Sequence, residues 1–414
     1  MLRAELLEVI ASGESSGVEF KRDDVRPEQV AKEVVAMANL KGGRVLLGVE
    51  DDGTVSGLQR ANVEEWVMDA VFGAKVHPLI LPFYEEVVFD DGKRVAVISF
   101  TEGTTKPYVL RHQGREDIYI RVGSTSRLAS REQQARLFAA GGLLHMELLP
   151  VSGAGFAALD VRRLADYLTH ALREPQLPET EQEWERRLRA LGFMTAGVGS
   201  GSVCTIAGLV LFGNTPRRTL RQAGLRCQVF DSTDKSYDAR LDRVLDGPLV
   251  GLWSRAREGA REFVGEGLIE AFAEAIRPFV SREAPVLGNG VRREAAWSYP
   301  QEAIREAVAN ALAHRDWTRS TEIEVTVYAD RMEIVSPGAL PNTMSVEKMV
   351  AGQRSPRNPI ITDVLRDYGY VDARGMGVRR KIIPLMREQN GVEAVFEATD
   401  DYLKVVLPAR RPVA

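Results

Sequence analysis

Cysteine is nearly absent: the 414 residues contain two, Cys204 and Cys227, each inside an apolar run. That excludes a disulfide framework and reads as buried free thiols in a reducing compartment. No CxxC pair occurs and the five histidines are scattered, so there is no pattern for a structural zinc site. A GxxxxGK[ST] segment is also missing, which excludes a motor of the P-loop kind. No apolar run approaches membrane-spanning length. The N-terminal stretch MLRAELLEVIASGE lacks the apolar centre of a signal peptide, and the expectation is a cytoplasmic protein without membrane contact. Nor is there an excess of positive charge. Lysine and arginine number 54 against 58 acids, a net charge of −4. Coating nucleic acid by bulk charge is thereby excluded, while local basic patches are not.

What is present is an ordinary globular profile, 44% hydrophobic and 27% charged, long enough for two or three domains. Leu2, Leu6, Leu7 and Ile10 give a short amphipathic helix at the start. Val18 and Phe20 then alternate with Glu19 and Lys21, the period of a half-buried strand with one polar face. Pro27 opens a helix with Val30, Val34, Val35 and Met37 on its apolar side, and Gly42-Gly43 ends it. Arg44–Val49 reads as a buried strand, followed by the turn Glu50-Asp51-Asp52-Gly53. A helix around Val63–Phe72 comes next. Tyr84–Phe89 and Arg94–Phe100 flank Asp90-Asp91-Gly92-Lys93 as a hairpin. Ile118–Val122 is a further strand, and Gly123-Ser124-Thr125-Ser126-Arg127 a turn leading to a helix capped by Ser130. These elements make an α+β module over residues 1–142.

Residues 143–285 read as a middle connecting domain of α/β type. It has helices at Asp160–Leu172 and Glu181–Leu191, a central strand along Val203–Phe212, a strand at Leu225–Phe230, and helices at Leu249–Val264 and Leu268–Phe279. The remainder, 286–414, carries a helix from Gln301 to Ala313 and a hairpin of Glu322–Tyr328 with Arg331–Val335. Strands at Val395–Phe396 and Tyr402–Leu407 close its sheet.

Two constellations carry chemistry. Glu14, Glu19 and Asp51 offer carboxylate oxygens of the kind that hold Mg²⁺ or Mn²⁺ when phosphate completes the shell. Such a metal polarises a phosphodiester and activates water, and Lys21 would offset the charge that builds on phosphate. From spacing alone the same residues also read as solvated charges on a strand and two turns, with Ser16 and Glu19 mimicking a capping box. Arg121, Ser124, Thr125 and Arg127 are candidates for phosphate contact at a strand-to-helix turn, where backbone N–H groups face anions.

The run ESSGVEFK, the helix VAKEVVAMAN, GGRVLLGVEDDG and the later YIRVGSTSRLA closely resemble the Schlafen core, or AlbA-type DNA-binding, family over roughly residues 10 to 140. The resemblance implies a metal-dependent site that cleaves tRNA or related structured RNA. Glu14, Glu19 and Asp51 would hold the metal and Lys21 would meet the phosphate. Vertebrate members carry two such lobes and a zinc site, while this chain has one lobe and no zinc ligands. A U-shaped RNA cradle would then need a second subunit, and a homodimer is expected. Bacterial relatives of this family are known as DNA binders or regulators.

In the last third, YPQEAIREAVANALAHRDW, VYADRMEIVSPGALP, RNPII and GYVDARGMGVRRKI resemble the divergent ATPase-like domain called RecG-like C-terminal, related to the histidine-kinase/Hsp90/MutL (GHKL) fold. The implied ATP site takes Glu306 and Asn310, four apart on one helical face, as its acid and magnesium-binding asparagine. Gly375 and Gly377 would line the phosphate loop. The adenine-reading Asp-x-Gly-x-Gly is replaced by Ser336-Pro337-Gly338-Ala339-Leu340. The expectation is therefore an α+β protein: a Schlafen/AlbA_2-like domain, a middle α/β domain and a GHKL-like α/β sandwich. Its function is nucleic-acid binding with metal-dependent endoribonuclease activity. The alternatives are a non-catalytic DNA-binding regulator with an ATPase-like regulatory or dimerisation domain, and a GHKL-type ATPase whose N-terminal domain recruits substrate.

Overall fold

A computed structural model describes residues 2–103, 105–197, 201–255, 261–285, 293–341, 344–372 and 376–409. The chain divides into two compact units, residues 1–144 and 145–414. No helix among the described residues is long and apolar enough to cross a membrane.

In the first unit, α1 (Arg3–Ser12), β1 (Val18–Lys21), α2 (Pro27–Ala38) and β2 (Gly42–Leu47) follow in order. Next come β3 (Phe83–Val88) and β4 (Arg94–Thr101), then β5 (Tyr119–Val122), β6 (Thr125–Leu128) and α3 (Arg131–Ala140). The sheet runs β1-β2-β4-β3. Its first pair is parallel, with Lys21 beside Leu47, and α2 is the crossover between them. The alternation in β1 sorts its side chains between two cores. Phe20 joins Leu6, Leu46, Val95 and Val97 on the α1 side, whereas the other face of the sheet packs Val45, Leu47, Ala96 and Ile98 against Val30 and Val34 of α2. The expected polar face of β1 is therefore covered as well.

The Gly123–Arg127 stretch is not a turn into a helix. Gly123, at φ +61°, and Ser124 form the two-residue turn of a hairpin, β5 pairing with β6 so that Arg121 lies opposite Ser126. A left-handed glycine in so short a loop matches the twist of the two strands. The helix begins at its expected cap, where Ser130 accepts from Gln133 N–H and Gln133 Oε1 accepts from Ser130 N–H.

The second unit contains α4 (Ile206–Phe212), β7 (Leu225–Val229), β8 (Leu241–Leu245) and α5 (Leu268–Val280). These are followed by α6 (Gln301–His314), β9 (Ile323–Val327), β10 (Arg331–Pro337), α7 (Pro359–Asp367), β11 (Val395–Ala398) and β12 (Tyr402–Pro408). Its six-stranded sheet has the order β8-β7-β9-β10-β12-β11. Three expectations need correction here. The division into 143–285 and 286–414 does not hold, because β7 pairs in parallel with β9 in one sheet and a single core spans both segments. Val203–Phe212 is not a central strand. Its chain turns at Thr205, whose side chain caps α4 by accepting from Gly208 N–H. Leu249–Val264 is not a helix, since Leu252–Arg255 and Arg261–Gly265 pair antiparallel.

Candidate nucleic-acid interface

β1 is an edge strand, so its outer N–H groups have no ladder partner. The chain before it folds back, Ser15 N–H donating to Val18 O at 3.0 Å. This brings Glu14 alongside, where its Oε1 accepts from Phe20 N–H at 2.9 Å. Glu19, 5% exposed, points to the α2 side. One of its oxygens is paired with Lys21 Nζ, and the other accepts from Arg121 Nη2 at 2.6 Å. Arg121 is wholly out of solvent and its Nη1 donates to Glu33 Oε2 at 2.6 Å. Ser126 Oγ also donates to that carboxylate. Burial raises the Glu19 carboxyl above its ordinary pKa, Glu33 adding to the rise while Lys21 and Arg121 pull it back.

Asp51 is exposed in the turn after β2. That turn starts at the end of β1, where Gly48 and Val49 N–H donate to Lys21 O at 2.8 and 3.3 Å. Glu14, Glu19 and Lys21 thus all engage β1, while Asp51 is exposed in its turn. Among the described residues no group of three or more His, Cys, Asp or Glu is placed to hold a metal ion. With Glu14 occupied by a backbone N–H and Glu19 by two cations, the expected carboxylate set does not fit a resident Mg²⁺ or Mn²⁺ as arranged.

Arg121 was expected at the surface. It is instead the buried counter-ion of two acids, because a guanidinium between two carboxylates relieves the cost of burying them. Ser124, Thr125 and Arg127 are exposed on the hairpin, with Thr125 Oγ1 donating to Val122 O at 2.9 Å. Arg127 and Arg131, the first residue of α3, are both exposed and carry no acidic partner among the described residues.

In the second unit a cavity of about 220 Å³ lies against α6, its lining including Glu306, Asn310, Ser336, Gly377, Phe396 and Val405. Glu306 is 1% exposed. Its Oε1 accepts from Asn310 Nδ2 at 3.3 Å, and Lys381 Nζ lies 3.4 Å from its Oε2. Burial raises its carboxyl above the ordinary value, with Lys381 the main opposing influence. A Cβ at Gly377 would fall 1.7 Å from Glu306 Oε1, so a side chain there would displace the Glu306 carboxylate. Gly375 lies outside the described residues. Ser336, where an adenine-reading aspartate would stand, turns its hydroxyl to the α6 backbone and donates to Ala311 O at 3.0 Å. Glu306 and Asn310 do share one face as expected, but the acid is engaged on both oxygens and the adenine contact is spent.

Residues 14–130 match the Schlafen, AlbA_2 family. A second match, over residues 320–407, is to the family described as "Putative ATP-dependent DNA helicase recG C-terminal". No curated protein matches the chain. Among solved structures, the DIP2311 protein from Corynebacterium diphtheriae is similar at 21% identity and a TM-score of 0.45, covering 99% of this chain and 80% of that one. The N-terminal domain of a RecG-related protein from Nitrosomonas europaea, titled a "Putative ATP-dependent DNA Helicase", is similar at 25% identity and a TM-score of 0.25. That match covers 32% of this chain and 94% of that one. An AlbA_2 segment joined to a RecG-type C-terminal segment is the make-up of a nucleic-acid-binding protein.

Two further residues of the AlbA_2 segment, Glu33 and Ser126, complete the buried network around Arg121. Glu33 lies three residues after Val30 and four before Met37, on the buried stripe of α2. An acid inside an apolar stripe signals a buried partner. Ser126, its second hydrogen-bond donor, carried no comparable signal.

Proposed function

We propose that this protein binds nucleic acid through its AlbA_2 unit, and that the acids of β1 hold the domain together rather than cut the bound strand. The observation that carries this reading is the state of Glu19, buried with one oxygen on Lys21 and the other on Arg121. An acid so placed has each of its oxygens engaged by a cation of the domain itself, which supports a structural role. Binding falls to the exposed hairpin and the start of α3, where Ser124, Thr125, Arg127 and Arg131 face solvent and suit phosphate contacts that position a ligand without reading sequence. The C-terminal unit serves regulation or homodimer formation in this reading, not ATP turnover.

A second reading, metal-dependent cleavage of tRNA or other structured RNA, is favoured by the clustering of Glu14, Glu19 and Lys21 at the exposed edge of the sheet. It requires Lys21 to leave Glu19 and Asp51 to swing in. One experiment separates the two. Full-length protein is titrated with labelled tRNA and duplex DNA, then incubated with each in Mg²⁺ or Mn²⁺. The expected result is salt-sensitive binding with no new fragments. Arg127→Ala and Arg131→Ala should each lower the slope of log affinity against log salt by about one. Fragments that need the metal and vanish in Glu19→Gln and Asp51→Asn variants would make the nuclease reading the right one.

A further inference from the structure

The sheet of the first unit has a stretch of open face beyond its two cores, which only its Val18 end adjoins. On the α1 side, the row Phe20–Leu46–Val97 is sealed by Leu6. The next row towards the start of β1 places Val18, Arg44, Ser99 and Phe83 directly opposite one another across all four strands. Neighbours in such a row point to the same side; α1 borders this one at Val18 and Arg44, and the Ser99–Phe83 end is open. Phe83 is 65% exposed and Leu81, on the approach to β3, is 80% exposed. Arg44 and Thr101 are exposed, and Ser99 and Val18 half-buried. Together these six line an open groove of about 450 Å³. Arg44 has no ion pair or side-chain hydrogen bond among the described residues. Glu5 and Glu8 of α1 border the neighbouring groove that Arg44 also lines, which closes the surface to anions on that side only.

We infer that this row is a platform for single-stranded nucleic acid. A base stacks on Phe83 against Leu81, a phosphate meets Arg44, and the hydroxyls of Ser99 and Thr101 serve the sugar and backbone. Strands about 4.8 Å apart put Phe83 and Arg44 about 10 Å from each other. An exposed aromatic and an unpaired arginine on one open sheet face are the two components of sequence-tolerant single-strand binding. Glu19 and Lys21 leave β1 on the opposite face, so this surface is distinct from the candidate acids. The inference rests on the nucleic-acid-binding reading and adds to it a ligand form, the unpaired strand.

The test uses full-length protein with fluorescein-labelled oligouridylate and oligodeoxythymidylate, alongside the tRNA and duplex titrations. Phe83→Ala should weaken oligonucleotide binding on the order of 10-fold or more, and Arg44→Ala should lower the salt slope by about one. Phe83 is at the surface, so unchanged thermal melting is expected for both variants. Phe83→Trp should keep the affinity and have its emission quenched as the oligonucleotide binds. Unchanged affinity in Phe83→Ala with unchanged emission in Phe83→Trp would overturn the platform, while Arg127→Ala still weakening tRNA binding would leave the broader reading standing. A wild type that binds no nucleic acid in any form would remove both. If Phe83→Ala instead lowers the sedimenting mass of the protein and leaves oligonucleotide affinity alone, the row is a protein contact and the inference is wrong.

Discussion

Arg121 connects elements that are far apart in sequence. Its guanidinium reaches Glu19 on β1 and Glu33 on α2 and donates to Ser15 O at 2.8 Å. Removing it leaves two carboxylates facing each other in a buried space. Arg121→Ala should therefore cost about 3–5 kcal/mol, read as a fall in the urea midpoint of the first unit. The exposed Arg127→Ala should stay within about 0.5 kcal/mol of wild type. Glu19 adds a pH signature. Its pKa is raised in the folded state, so the fold binds that proton more tightly than the unfolded chain does. The associated stability is present below the ordinary carboxylate pKa and is lost as pH rises through the raised value. Glu19→Gln should flatten that part of the stability profile in urea titrations across the acid range. The cysteines give a simpler check. Burial pushes both Cys204 and Cys227 up to about 12, so neither should react with iodoacetamide near neutral pH until the chain unfolds.

At the scale of elements, α7 shows how a helix end is satisfied from a distance. Asn358, at its N-cap, gives no cap, donating through Nδ2 to Ala313 O and Arg315 O at 2.9 Å each. The cap comes from Glu147, whose two oxygens accept from Ile360 and Ile361 N–H at 3.0 Å. Glu147→Ala should cost about 1–3 kcal/mol, the penalty of two buried donors left open, measured as a lower melting temperature of the second unit. These long-range links mark the limit of what the sequence reveals. β1 and α2 were legible because alternation and the 3.6-residue stripe are local properties, and Glu33 was legible in principle on that stripe. The hairpin at Gly123 and the bend at Thr205 are not legible, because a run of apolar or turn-forming residues does not say with whom it will pair. Arg121 reads as a surface cation in the sequence because its partners lie 102 and 88 residues away.

For the whole molecule, the division at residue 144 predicts how the chain can be cut. A fragment of residues 1–144 holds both faces of its sheet and should fold alone, with dispersed amide resonances. A fragment of 286–414 lacks β7, exposing the edge of β9 and with it Ile323, Val325 and Val327, which are buried in the intact unit. It should aggregate or stay unfolded, whereas 145–414 should not. The β7–β9 pairing also bears on how the protein is made. β8 can cover one edge of β7 almost as soon as both are synthesised, but the other edge waits for residues 230–322. At the ribosome's pace of about 5–20 residues per second, that apolar strand stays open for about 5–20 s. The AlbA_2 unit is complete before this interval begins. Nascent chains stalled between β8 and β9 should therefore bind nucleic acid already, while needing a chaperone for everything after residue 145.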